Sequence, residues 1–151
     1  MPAVPPAEVT VDVLDEAGFA RLLEAQRGNV VLIDYWATWC ESCKELFPHT
    51  VGLHRQHAGD GLTVVSISLD DPEAEAAVLQ VLRRFEATMP NYVSFYGGSD
   101  RSLEVFGIDD GTLPHFQLYD RQGKLHQVFR SSSGPIDPQQ IDRAVEPLLA
   151  E

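Results

Sequence analysis

Two stretches of the chain are apolar and rich in β-branched residues. The first reads VVLI at residues 30–33, and the second reads LTVVSISL at residues 62–69. Runs of this kind are typical of strands that are covered on both faces, as in a largely parallel sheet. We therefore expect two buried central strands, Val30–Trp36 and Leu62–Leu69.

In several other segments the apolar residues recur at helical spacing. Helix-start signals, Asp71-Pro72 and Asp137-Pro138, precede two of these segments. Shorter apolar runs between turn residues indicate the remaining strands. The pattern predicts helices over about 16–26, directly after Cys40, over 72–87 and 101–106, and from 138 onward, with further strands over 8–13, 91–96, 113–119 and 124–130.

This order of elements predicts an α/β fold in which one mixed sheet has helices on both faces. A chain of 151 residues is most simply one domain, which we place at residues 8–151. Residues 1–7 are rich in Pro and Ala and are expected to be a flexible lead-in.

The charge of the chain limits its partners. The formal net charge is −12, with 11 Lys and Arg against 23 Asp and Glu, so nucleic acid and anionic lipid are poor partners. We expect no membrane-spanning segment, because no stretch approaches the ~18 apolar residues that a span requires. The start of the chain, MPAVPPAEV, does not resemble an export signal. The protein is therefore cytoplasmic, or a leader has been removed from it.

The candidate chemistry lies where the first buried strand ends. Cys40 and Cys43 are the only cysteines of the chain, and they stand at the start of a predicted helix, where backbone N–H groups and the helix dipole favour a thiolate. A structural disulfide would close too small a loop to stabilise the fold much. A structural zinc site normally needs four ligands. The third interpretation, a redox dithiol, needs only two sulfurs one helical turn apart where a strand leads into a helix. A bare CxxC is weak evidence for it, but Asp34, Trp36, Trp39 and Pro48 accompany this one at particular offsets.

The motif around these cysteines, DYWATWCESCK, resembles that of the thioredoxin superfamily, and more closely that of its TlpA/ResA branch. The resemblance covers the chain from about Glu8 onward. It implies a thioredoxin fold in which residues 70–98 form the central insertion of that branch. Glu41 matches the Glu of the ResA-like CEPC motif, whereas Ser42 stands where a proline is common, which leaves the redox potential open.

The same resemblance implies a function. Members of this branch are thiol-disulfide oxidoreductases that work outside the cytoplasm, so we expect a periplasmic or otherwise extracytoplasmic monomer that reduces protein disulfides. Its partners would be protein thiols and disulfides and an upstream electron donor, and the ResA resemblance implies a role in cytochrome c maturation. No metal and no organic cofactor is expected, because the electrons pass through the Cys40–Cys43 disulfide. The alternatives are an oxidase or isomerase, and a copper-binding module without turnover.

Within the motif, each residue receives an expected role. Cys40 is the nucleophile and Cys43 the more shielded resolving thiol. Asp34 lies in the middle of an apolar strand, where burial raises the pKa of a carboxyl group, so it is the candidate base for Cys43. The competing interpretation is that Asp34 only pairs with Lys44 or another cation.

Four further residues are candidates for substrate binding. Trp39 is expected to form an exposed apolar lip beside Cys40, whereas Trp36 packs in the core. The resemblance implies a cis bond between Leu113 and Pro114, with the Leu113 backbone binding a docked peptide as an added strand. His115 stands where the family usually has Thr. It either tunes the thiolate or contacts the substrate, or it is simply a half-exposed polar residue.

Three residues are expected to tune the redox chemistry, namely Glu41, Ser42 and Lys44. A carboxylate at Glu41 opposes the helix dipole and disfavours the Cys40 thiolate. A less stable thiolate favours the disulfide, which makes the dithiol a better reductant. The sequence therefore predicts a comparatively reducing protein.

Overall fold

The computed structural model describes residues 8–151, so the predicted lead-in at residues 1–7 lies outside the described residues. Six strands and five helices form this part of the chain. The strands are β1 Asp12–Leu14, β2 Val30–Trp36, β3 Leu62–Ser68, β4 Asn91–Ser94, β5 His115–Tyr119 and β6 Leu125–Arg130, and the helices are α1 Glu16–Ala25, α2 Glu41–His57, α3 Glu75–Arg84, α4 Asp100–Phe106 and α5 Pro138–Leu149.

The strands form one mixed sheet in the order β1-β4-β3-β2-β5-β6. The first four of these run parallel, and β5 and β6 are antiparallel to their neighbours. The sequence-based fold class, a thioredoxin fold with a mixed central sheet, is confirmed. Strand β2 lies between β3 and β5, which places the start of α2 near the middle of the sheet edge.

Helices cover both faces of the sheet. One core joins β2 side chains such as Leu32 and Trp36 to α2, α3 and α5. The other core joins Ile33 and Tyr35 to α1 and α4. Successive side chains of a strand point to opposite faces of the sheet. All seven residues of β2 are buried, so both faces of this strand are covered.

The predicted insertion, residues 70–98, contains α3 and β4. Strand β4 is placed between β1 and β3 in the sheet. The helix predicted from Asp71-Pro72 begins with a 3-10 turn over Pro72–Ala74 before α3 starts. Among residues 8–151, no helix has the length and the apolar character needed to cross a membrane.

Several predicted boundaries differ from the observed ones by one to four residues. The largest difference is at the first strand, which occupies Asp12–Leu14 instead of 8–13. Helix α4, predicted over 101–106, begins one residue earlier at Asp100, and Ser99 is its N-cap residue. Asp15 and Asp137 do cap their helices, because each side chain accepts a backbone N–H of the first turn.

Candidate active site

The turn from β2 to α2 is held by the end of the neighbouring strand. The backbone N–H of Leu69 donates to the carbonyl of Trp36 over 2.8 Å. The buried carboxylate of Asp70 accepts the backbone N–H of Thr38 over 2.9 Å and also the Thr38 hydroxyl. The Ser68 hydroxyl donates to the same carboxylate. These bonds fix the three-residue loop that leads to Cys40.

The two cysteines are joined in a disulfide, with their Cα atoms 5.3 Å apart. Cys40 is the N-cap of α2, and its Sγ accepts the backbone N–H of Cys43 over 3.2 Å. The exposed fraction of Cys40 is 8%, whereas Cys43 is completely buried. The sulfur at the helix N-terminus is thus the one that a partner can reach, and the same N–H group would stabilise its thiolate.

Asp34 lies on β2 beneath α2 and is buried. Its Oδ2 accepts the hydroxyl of Thr50, on α2, over 2.8 Å. Its Oδ1 accepts no hydrogen bond from any residue between 8 and 151. Burial raises the pKa of Asp34 to about 7, and the hydrogen bond from Thr50 acts in the opposite direction. Such a group can carry a proton near neutral pH.

Lys44 does not pair with Asp34. Its Nζ lies 2.8 Å from a carboxylate oxygen of Glu41, and the Glu41 side chain is largely exposed. The hydrogen bond and the charge of Lys44 lower the pKa of Glu41. The interpretation of Asp34 as the ion-pair partner of Lys44 is therefore wrong, because Lys44 points along the first turn of α2 toward Glu41. Ser42 is exposed, and its hydroxyl lies 3.6 Å from the Cys40 sulfur.

A groove of about 560 Å³ opens beside the dithiol. It lies between the first turns of α2 and two loops, the one before β5 and the one after β6. Its lining includes Ser42, Leu46, Leu113, Pro114 and Ile136. The peptide bond between Leu113 and Pro114 is cis, as the resemblance implied. Trp39 is 66% exposed next to Cys40, and Trp36 is fully buried, so both tryptophans lie where the sequence placed them.

His115 is not at this site. It is completely buried, so the interpretation as a half-exposed residue is wrong. Its ring packs against Tyr35, on the face of the sheet opposite to α2, with the ring centroids 5.7 Å apart. Its Nε2 lies 3.3 Å from the amide nitrogen of Gln117, and its Nδ1 lies 3.9 Å from Asp110. Burial lowers the pKa of His115, and His115 is not among the residues that line the groove.

Comparison with known proteins gives the family. The family model described as Thioredoxin matches residues 10–103. The chain belongs to the thioredoxin family. Two relatives of this thioredoxin-family chain carry names from the ResA and DsbE groups. The "Thiol-disulfide oxidoreductase ResA" of Geobacillus thermodenitrificans is 25% identical over 133 residues, which are 88% of this chain and 72% of the relative. The "Thiol:disulfide interchange protein DsbE" of Allochromatium vinosum is 30% identical over 125 residues, 82% of this chain and 61% of the relative.

A solved structure confirms the thioredoxin fold. The thiol:disulfide interchange protein of Chlorobium tepidum superposes with a TM-score of 0.66 and 22% sequence identity, over 83% of each chain. The relatives named ResA and DsbE support the resemblance of the sequence to the TlpA/ResA branch.

Two residues of the site were not identified from the sequence. In the sequence Thr50 is only one of several positions of α2 that face the core, and in the structure its hydroxyl donates to Asp34 over 2.8 Å. A polar residue seven positions after Cys43, on the same helical face, was the available signal. Asp70 holds the loop before Cys40, and nothing in the sequence indicated that contact, because the two segments are separated by 32 residues.

Proposed function

We propose that this protein is a thiol-disulfide oxidoreductase that reduces disulfides of proteins outside the cytoplasm. The observation that carries the proposal is the asymmetry of the dithiol. Cys40 is partly exposed at the N-terminus of α2, and Cys43 is shielded behind it within disulfide distance. Nucleophile and resolving thiol are thus distinguished by position alone.

The reaction needs both sulfurs and one base. In the reduced protein the Cys40 thiolate attacks a substrate disulfide, forms a mixed disulfide and releases one substrate thiolate. Cys43 then loses its proton to Asp34 and attacks the Cys40 sulfur. The bond between Cys40 and the substrate breaks, the Cys40–Cys43 disulfide forms, and the second substrate thiolate leaves. Two electrons pass from the dithiol to the substrate, and an upstream donor must return them.

The groove beside the dithiol suits an extended polypeptide. One wall carries Leu113 and Pro114, and the other carries Ser42 and Leu46 from α2. We infer that the substrate backbone runs along Leu113 as an added strand. Its apolar side chains would enter the groove, and Trp39 would cover the substrate cysteine from the opposite side.

The reductase direction is supported by the charge next to the nucleophile. Glu41 places a carboxylate in the first turn of α2, where it opposes the dipole that favours the Cys40 thiolate. Lys44 offsets part of this charge. The extracytoplasmic location and a role in cytochrome c maturation are supported by the similarity to relatives named ResA and DsbE.

Measuring the reduction potential tests the proposal. We expect the Cys40–Cys43 couple, equilibrated with glutathione or dithiothreitol buffers, to have a potential below about −200 mV, and the reduced protein to reduce insulin. The Cys40→Ala variant serves as the inactive control. A potential of about −120 mV would assign an oxidase instead. Stoichiometric Cu(I) binding without insulin reduction would assign the copper-binding alternative.

A further inference from the structure

Helix α2 presents three buried side chains toward β2 on one face. Cys43, Phe47 and Thr50 are spaced by four and then three residues, which places them above one another on a helix. Thr50 is 1% exposed. A buried hydroxyl in this position needs a partner. A threonine inside a helix often finds it in the carbonyl four residues earlier, but the Thr50 hydroxyl instead donates to Oδ2 of Asp34 over 2.8 Å.

The strands on either side of Asp34 give its carboxylate no hydrogen bond. Its register partners are Ser66 on β3 and Phe116 on β5. The Ser66 hydroxyl donates to Asn91 over 2.7 Å and is therefore engaged elsewhere. Among the hydrogen bonds of residues 8–151, the one from Thr50 is the only side-chain bond that Asp34 makes.

On the three helices that cover this face, α2, α3 and α5, Cys43 is the only titratable residue that is buried. On α2, Lys44 is paired with Glu41. His49, also on α2, lies 2.7 Å from the carboxylate of Asp142 on α5. The thiol of Cys43 is therefore the titratable group of α2 that remains on the buried face shared with Asp34.

We propose that Thr50 is a positioning residue for the proton transfer from Cys43 to Asp34. Its hydroxyl binds Oδ2 and thereby fixes the carboxylate, so that the unpaired Oδ1 is the oxygen that receives the proton. The hydrogen bond also favours the ionised form of Asp34, and only that form can accept a proton. This inference deepens the proposed function and rests on it.

The step is confined to Cys43, Asp34 and the mixed disulfide on Cys40. The S–H bond of Cys43 breaks and its proton goes to Oδ1. The Cys43 thiolate gives its electron pair to the Cys40 sulfur, and the substrate leaves as a thiolate that solvent then protonates. Asp34 returns its proton to solvent after the substrate has left. Thr50 keeps its own proton throughout, because it acts only by donating a hydrogen bond.

Ellman's reagent isolates this step. The reduced protein releases one thionitrobenzoate when Cys40 attacks and a second when Cys43 resolves the mixed disulfide. We expect the rate constant of the second release to rise with pH through a midpoint set by Asp34. In Thr50→Val the carboxylate loses its hydrogen bond, so the midpoint should move upward by about one pH unit, and the rate constant at pH 6 should fall about tenfold.

Two variants control this experiment. Thr50→Ser keeps a hydroxyl at the same place and should restore the wild-type midpoint. Thr63→Val removes a half-buried threonine hydroxyl that donates to Gln26 on the other side of the domain, and it should keep the wild-type profile. A Thr50→Val profile that superimposes on the wild-type profile would overturn the inference, as would an equal shift in Thr63→Val.

The failure of this inference is distinguishable from that of the proposed function. If the wild-type protein releases no second thionitrobenzoate, the dithiol itself is not acting as proposed. If Thr50→Val does not fold, an NMR titration of the wild-type protein decides instead. The chemical shift of the Thr50 hydroxyl proton should then change with pH at the same midpoint as that of the Asp34 carboxyl carbon. A hydroxyl proton whose chemical shift does not change through this midpoint would overturn the inference.

Discussion

Asp34 illustrates what a single residue reveals in a sequence. The burial of an acid inside the run VVLIDYW could be predicted and is confirmed, and this burial raises the pKa of Asp34. Its partner did not follow from the sequence as directly: the helical spacing of Thr50 from Cys43 was a signal, but the contact also depends on how α2 is rotated above the sheet. A local sequence pattern predicts whether a side chain is buried, but it does not predict which side chain of another helix or strand will contact it.

His115 illustrates the opposite case. Polarity favoured a half-exposed position, whereas the residue is completely buried in a strand that is covered on both faces. In such a strand polar side chains are buried with the apolar ones and must find partners inside the core. Gln117, two residues later on the same face, supplies one of them.

Glu41 gives the prediction at this scale. Replacing Glu41 by Gln removes a negative charge beside Cys40 and frees the Lys44 cation that it now pairs with. Both effects favour the Cys40 thiolate. We expect the midpoint of the pH dependence of iodoacetamide alkylation at Cys40 to fall by about half a pH unit, since exposed charges interact weakly through water.

The partner of the ion pair provides the control. Lys44→Met leaves the Glu41 carboxylate without its cation, so the same midpoint should rise. Both shifts should diminish in high salt. A midpoint that stays fixed or rises in Glu41→Gln would show that this carboxylate does not weaken the nucleophile.

At the scale of elements, the junction of β2 and α2 was the most predictable part of the chain. The apolar run ends at Trp36 and the helix begins at Glu41, as the positions of the cysteines required. The support beneath this junction was not predictable, because Asp70 reaches Thr38 from the end of β3. Which strand end lies beside a loop is decided by the order of strands in the sheet.

Asp70 should therefore matter for stability. In Asp70→Ala the backbone N–H and hydroxyl of Thr38 and the hydroxyl of Ser68 lose their buried acceptor. We expect the free energy of unfolding of the oxidised protein, measured with urea, to fall by about 2–3 kcal/mol.

Asp70→Asn retains an acceptor oxygen and should recover part of this loss. Glu73→Gln alters an exposed acid on the adjoining 3-10 turn and should change the free energy of unfolding by less than about 0.5 kcal/mol. Equal stability of Asp70→Ala and the wild-type protein would contradict the assigned role.

At the scale of the whole molecule, the fold class followed from the alternation of strand and helix patterns, and the branch followed from the motif around the cysteines. The position of β4 between β1 and β3 did not follow from the pattern. Strand pairing joins segments that are distant in sequence, such as Val13 and Val93, and hydrophobic periodicity carries no information about it. The groove beside the dithiol arises from the same long-range arrangement.

The central claim for the whole molecule is that Cys40 attacks and Cys43 resolves. Trapping the mixed disulfide tests this most directly. We predict that Cys43→Ala, incubated with a disulfide-bonded peptide, accumulates a covalent adduct that mass spectrometry locates on Cys40, whereas Cys40→Ala accumulates none. No adduct in Cys43→Ala, or an equal adduct on Cys43 in Cys40→Ala, would contradict the claim.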